Sequence, residues 1–163
     1  MQAPEPGAAP APAGSAIVWR TPGGWIEKPS SPPRLATFAV GDAECTIVSF
    51  PGDTGGVAAN LRRWLGQLKV EATDERIARL IETGSPFSSE GGFAGTVYDF
   101  SAALPGDAQT GMLAAILDAG ASSLFVKLMA SPALLSAEKD GFAELARSLV
   151  ARPSGSVRRG ARR

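Results

Sequence analysis

Apolar residues between positions 57 and 68 recur at helical spacing. Val57, Leu61, Trp64, Leu65 and Leu68 follow i, i+4, i+7, i+8, i+11 and make one stripe, while Arg62, Arg63 and Gln67 fall largely on the other side. Pro51-Gly52-Asp53-Thr54 stands just before this stripe. The spacing predicts a helix to about Lys69, with Asp53 or Thr54 as its N-cap. A second helix is predicted from Thr73 or Asp74, through Ile77, Leu80 and Ile81, to Gly84. A third starts at Ser131-Pro132, with proline in the first turn and Leu135, Phe142, Leu145 and Leu149 as its buried face.

Shorter apolar runs bounded by turn residues read as strands: Ala16–Thr21, Leu35–Val40, Glu44–Phe50, Gly95–Ser101, Met112–Asp118 and Ser122–Met129. Gly41-Asp42 is a hairpin-type turn, so the runs on either side of it should pair antiparallel. Strands come in hairpin pairs with helices singly between them. That order predicts an α+β fold, a largely antiparallel sheet of about six strands flanked by about three helices, and not a doubly wound parallel sheet.

The flanks have a different composition. Residues 2–15, QAPEPGAAPAPAGS, offer no hydrophobic face, so residues 1–15 are expected to be a disordered linker. Residues 152–163, rich in arginine, are expected to be a disordered tail, which leaves residues 16–151 as one folded domain. No apolar run approaches the roughly 18 residues of a membrane-spanning helix. Met1 is followed by no basic-then-apolar signal pattern. The expectation is therefore either a cytoplasmic protein or a chain that begins after a removed signal.

Net charge is zero, but it is unevenly spread. Five of the 16 basic residues are arginines after Val150, so the body carries 11 − 16 = −5. An acidic body matches a phosphate backbone poorly, and no nucleic-acid partner is expected. The arginine tail reads as a solvated end, weak binding to polyanions being the alternative. The sequence contains no histidine, which closes Ser-His-Asp and Cys-His catalysis and imidazole metal sites. The one cysteine, Cys45, lies beside Ile47 in a strand and reads as a buried, inert thiol. No cofactor or metal is expected.

A few residues carry candidate chemistry. Gly52–Gly56 is a glycine-rich turn before a helix, but it lacks the Lys-Ser/Thr of a P-loop, and Asp53 repels phosphate. Arg63, Trp64 and Gln67 lie within about a turn and read either as a recognition patch or as a core tryptophan with an arginine over its edge. Lys127 and Asp99 each sit mid-strand among apolar residues, as a structural ion pair if their strands are neighbours, or with Lys127 as a base of lowered pKa. Trp19, Trp25 and Phe87 stand near loops and suggest either a ligand cleft or packing at the sheet ends. Asp74/Glu75 and Asp140/Glu144 lie on polar helix faces and suggest no glycosidase dyad.

The run PGDTGG at 51–56, followed by Asn60, Arg63, Trp64 and Gln67-Leu68, resembles a group of uncharacterised bacterial envelope proteins, often predicted lipoproteins. Their motif is close to PGD-x-GG…N-x-x-RW-x-x-QL. TPGGW at 21–25, RLATF at 34–38, FVKL at 125–128 before Ser131-Pro132, and Lys139 with Phe142 through Leu149 are similar as well. The chain departs from that group at Arg62, Leu65 and Met129-Ala130. The element order resembles the PsbP/Mog fold, whose known members bind partner proteins or support large assemblies and are not typically enzymes. The resemblance implies a non-catalytic, protein-binding module of the cell envelope, with Trp25, Asp53, Asn60, Arg63, Trp64, Gln67 and Lys127 as candidate binding residues. The alternatives are a small-ligand module with a cleft lined by Trp19, Trp25 or Trp64, and, more remotely, a serine hydrolase using Lys127.

Overall fold

A computed structural model describes residues 15–52 and 55–153. In chain order the elements are β1 (Ser15–Val18), β2 (Ile26–Lys28), β3 (Arg34–Val40), β4 (Ala43–Pro51), α1 (Val57–Gln67), α2 (Asp74–Thr83), β5 (Ser85–Ser88), β6 (Ala94–Asp99), a 3-10 helix (Phe100–Ala103), β7 (Gly111–Asp118), β8 (Ser122–Ala130), α3 (Pro132–Arg147) and β9 (Val150–Pro153). Seven strands form one antiparallel sheet in the order β2-β3-β4-β8-β7-β6-β5, and β1 and β9 form a separate antiparallel pair. The fold is α+β and largely antiparallel, as the element order predicts.

Strand periodicity divides the core into two layers. Along β8, Leu124, Val126, Leu128 and Ala130 enter one apolar cluster with Phe38, Ile47, Leu113 and the α3 residues Leu135, Phe142 and Leu145. Phe125 points the other way, into a cluster with Leu61, Trp64 and Leu65 of α1 and Ile77 and Leu80 of α2. Side chains alternate across a strand, so one central strand serves both layers. The result is a sheet with α3 on one face and α1 and α2 on the other.

The β3–β4 turn forms as expected, with Val40 opposite Ala43 and Gly41 at φ 60 in the first loop position. Thr73 caps α2, its hydroxyl accepting from the Arg76 amide at 3.2 Å. Ser131 caps α3 in the same way, accepting from Leu134 N. The cap of α1 differs from expectation. The helix begins at Val57, and Gly56, at φ 93, holds the cap position without a side-chain hydrogen bond. Asp53 and Thr54 lie outside the described residues. Val57 stays 36% exposed and does not join the stripe. The helix ends in a Schellman arrangement: Val70 N donates to Leu65 O, Lys69 N donates to Gly66 O, and Lys69 takes the left-handed conformation at φ 60.

Three strands are additions to the expected six. β2 and β5 are short and close the two edges of the sheet, and β5 carries Pro86, which an edge strand tolerates. β9 places Arg152 in a strand, opposite Ala16 of β1, so the folded part runs past the expected boundary at 151. α3 stops at Arg147, and Leu149 is buried from the segment that follows. The predicted strand over Gly95–Ser101 is cut at Asp99, whose carboxylate accepts from Ser101 N at 2.9 Å and caps the 3-10 helix. The flanks expected to be disordered fall, apart from Ser15, Arg152 and Pro153, outside the described residues.

Candidate functional site

Four of the motif residues meet at one corner of the molecule. Asn60, Arg63 and Gln67 are spaced i, i+3, i+7, which sets them along one edge of α1 beside the buried Trp64. Lys127 lies in β8 between Thr46 of β4 and Ala114 of β7, on the sheet face that α1 covers. Its Nζ donates to Gln67 Oε1 at 2.9 Å and lies 5.7 Å from the centre of the Trp64 ring. Trp64 is 3% exposed and packs edge-on against Phe125, with ring centres 5.4 Å apart, and against Phe100 at 6.5 Å. Of the two readings of the Arg63-Trp64-Gln67 turn, Trp64 is core, and Arg63 and Gln67 are exposed at its edge.

Asn60 is 1% exposed, which the motif spacing alone did not signal. A buried amide needs partners, and it has them. Nδ2 donates to Gly56 O at 2.8 Å, and Oδ1 accepts from Arg63 Nη1 at 2.6 Å. The first of these bonds ties the glycine turn to the helix. The second holds the Arg63 guanidinium against α1.

The patch is cationic. Burial lowers the pKa of Lys127, and the charges of Arg34 and Arg63 lower it further. Arg34, which opens the RLATF stretch, is not among the candidate binding residues that the motif suggests. It sits at the start of β3 opposite Val48 and lines a hollow of about 550 Å³ with Pro29, Ser30, Ser31, Pro32 and Thr37. Ser30 Oγ donates to Thr37 Oγ1 at 2.8 Å beneath it. A second hollow, of about 430 Å³, lies between α2 and the 3-10 helix, lined by Thr73, Arg76, Arg79, Ala102 and Ala103 among others.

Other candidates disperse. Lys127 and Asp99 do not pair, because β7 stands between their strands. Asp99 binds Lys139 of α3 at 3.0 Å instead. Trp25 is buried on the α3 face, its Nε1 donating to Glu138 Oε1 at 2.8 Å and its ring 5.9 Å from Phe38. Trp19 also packs on Phe38, so Trp19, Trp25 and Trp64 do not converge on one cleft. Phe87 packs, half-buried, on the α3-side cluster. The Cys45 thiol is fully buried, and burial pushes its pKa well up, the opposite of what a nucleophile needs. Among the described residues there is no group of three or more metal-ligating side chains, and no helix is long and apolar enough to cross a membrane.

In class, the molecule is an α+β sandwich: a mostly antiparallel sheet between one helix and a helix pair, with a basic corner beside the pair. No protein-family model and no curated protein matches the chain. Solved structures do resemble it. A protein from Bacteroides thetaiotaomicron superposes with a TM-score of 0.49 at 13% identity, covering 85% of this chain but only 46% of its own. The cyanobacterial PsbP protein CyanoP from Synechocystis gives 0.46 at 13% identity over 89% of this chain and 98% of its own. LpqN of Mycobacterium tuberculosis, a protein involved in cell envelope biogenesis, gives 0.45 at 15% identity over 88% and 87%. These are likenesses of architecture at low identity, and no role is carried over from them.

Proposed function

We propose that this chain is a non-catalytic protein-binding module of the bacterial cell envelope that recognises its partner through the corner formed by α1 and β8. The observation that carries the reading is the convergence of Asn60, Arg63 and Gln67 from one motif stretch with Lys127 from another, around a buried tryptophan. Binding surfaces are built from polar groups held by rigid elements, and here the buried Trp64 and Asn60 hold the exposed Arg63 and Gln67 in place. The envelope assignment is supported by the motif resemblance and by the Pro/Ala-rich segment before Ser15. Ile17 of β1 packs into the α3-side cluster, so a segment entering through β1 joins the body on the face away from the proposed site. A body tethered there keeps the α1 corner open to a partner. The reading as non-catalytic is supported by the absence of histidine from the sequence and by the buried, high-pKa state of its one thiol.

Photocrosslinking of the full-length gene product in cells tests the reading. Gly66 is the position of choice, since a side chain added there meets open space and stands next to Arg63 and Gln67. Envelope fractionation with a discrete crosslinked protein, lost when Arg63 and Lys127 are changed to Glu, is the expected result. Cytosolic recovery without any crosslinked protein would sink it.

A further inference from the structure

We infer that the face of β3, β4 and β8 beside α1 is a receptor for carboxylate side chains, and that the partner docks there through an acidic segment, with Lys127 as the central cation and Arg34 and Arg63 flanking it. The inference rests on the protein-binding reading above and names the chemistry of its partner.

Three positive groups from three elements act on one another here, since the charges of Arg34 of β3 and Arg63 of α1 both bear on Lys127 of β8. The described residues contain four ion pairs: Arg20–Glu90, Lys28–Glu44, Arg62–Asp74 and Lys139–Asp99. None of them includes Arg34, Arg63 or Lys127. The contrast within α1 is direct. Arg62 reaches Asp74 at 2.7 Å across the α1–α2 turn, whereas Arg63, one residue on, bonds among the described residues to the neutral amide of Asn60. Lys127 likewise bonds to the neutral amide of Gln67. Arg34 acts on Glu44, but that carboxylate already accepts from Lys28 Nζ at 2.5 Å.

A half-buried lysine next to two arginines is a site where like charges raise one another's energy. It occurs in a body whose formal charge is −5, so it is not part of a general excess of basic groups. Amide oxygens satisfy the donors of Lys127 and Arg63 without neutralising them, and an arriving carboxylate can replace those amides and supply the missing charge. The hollow at Arg34, lined by Pro29, Ser30, Ser31 and Pro32, gives room beside that cation, so a chain segment with more than one acidic side chain fits better than a single small anion.

The test is a titration of the isotope-labelled full chain with hexaglutamate, read by amide chemical shifts. Saturable shifts are expected at Arg34, Thr46, Arg63, Gln67 and Lys127. Arg63→Gln and Lys127→Met should each weaken binding by about tenfold, the loss of one charge-assisted hydrogen bond. Arg62→Gln, on the same helix but paired with Asp74, should leave it unchanged. Shifts elsewhere on the body, no shifts at millimolar peptide, or equal weakening by Arg62→Gln would overturn the inference. If crosslinking at Gly66 captures a partner through a segment without acidic residues, the carboxylate inference fails and the binding module stands. If crosslinking captures nothing and the titration is silent, both fail.

Discussion

Trp64 decides whether the α1 corner is a rigid platform or a flexible anchor, and Trp64→Ala measures it. The indole is 3% exposed and is shared by three elements: it sits in α1 and packs edge-on against Phe125 of β8 and Phe100 of the 3-10 helix. Removing a buried tryptophan costs about 3–5 kcal/mol, the sum of lost transfer energy and the cavity left behind. Collapse of that cavity is hindered here, because Phe125 is held by ladder pairing on both sides and Phe100 by the capped 3-10 turn. The upper part of the range, about 4 kcal/mol, is therefore expected. At about 3 °C per kcal/mol this lowers the melting temperature by about 12 °C. Urea unfolding followed by far-UV circular dichroism gives the free energy without relying on the fluorescence of the deleted residue. Trp64→Phe, which keeps a ring against Phe125, should lose less than half as much and retain partner binding. A Trp64→Ala loss under about 1 kcal/mol, the size of an ordinary surface change, would refute the core assignment and make Trp64 a solvent-facing recognition anchor instead.

Two further perturbations probe α1 and its neighbour. Lys69 holds the left-handed position of the Schellman turn at φ 60, a conformation that costs a side-chain-bearing residue about 1 kcal/mol. Lys69→Gly should therefore stabilise the protein by about 0.5–1 kcal/mol in equilibrium unfolding, part of the gain being offset by the freer unfolded chain; a destabilised variant would contradict the strain argument. Lys127 has a lowered pKa in the folded state, through burial and then through Arg34 and Arg63, while Gln67, Trp64, Thr46 and Ala114 face it without charge. The unfolded chain therefore holds this proton to higher pH than the folded one, and the residue's contribution to stability rises with pH from the folded pKa up to the ordinary value of 10.5. Wild type should gain on Lys127→Met across that alkaline window, and a stability difference that stays flat with pH would contradict the shift.

The layered architecture was legible because its signals are periodic and local. The α1 stripe, the caps at Thr73 and Ser131, and the Gly41-Asp42 turn each state a geometry within a few residues, and β3, β4, β7 and β8 are apolar runs bounded by turn residues. The edges were not legible. β2 has three residues, β5 contains Pro86, and β9 is four residues after a helix, so none carries a full period of its own. Asp99 illustrates a second limit: it reads as a mid-strand charge, yet its short side chain folds back on Ser101 and ends the strand. Lys127 and Gln67 are 60 residues apart, and Trp25 and Trp64 are separated by the sheet, facts that depend on strand order and on no local pattern. For the same reason Arg34 joins the site only because β4 pairs with β8, a non-local neighbour, which sets Lys127 one strand beyond β4.

The choice of lysine at position 127 is best understood against its neighbours on the same sheet face. Phe125 and Met129, two residues to either side, are apolar and pack toward α1 and α2. A methionine at 127 would lie against Trp64 equally well and would face Arg34 and Arg63 without repulsion. Folding alone therefore favours an apolar residue at 127, and the lysine raises the energy of the folded state. Among the described residues no carboxylate pairs with Lys127, so negative charge that reaches the corner offsets that excess. Stability and binding should then move in opposite directions on Lys127→Met: equal or higher stability at neutral pH, with weaker binding of acidic peptide. A residue kept for structure loses both together, so the sign of that pair of changes separates a recognition lysine from a structural one.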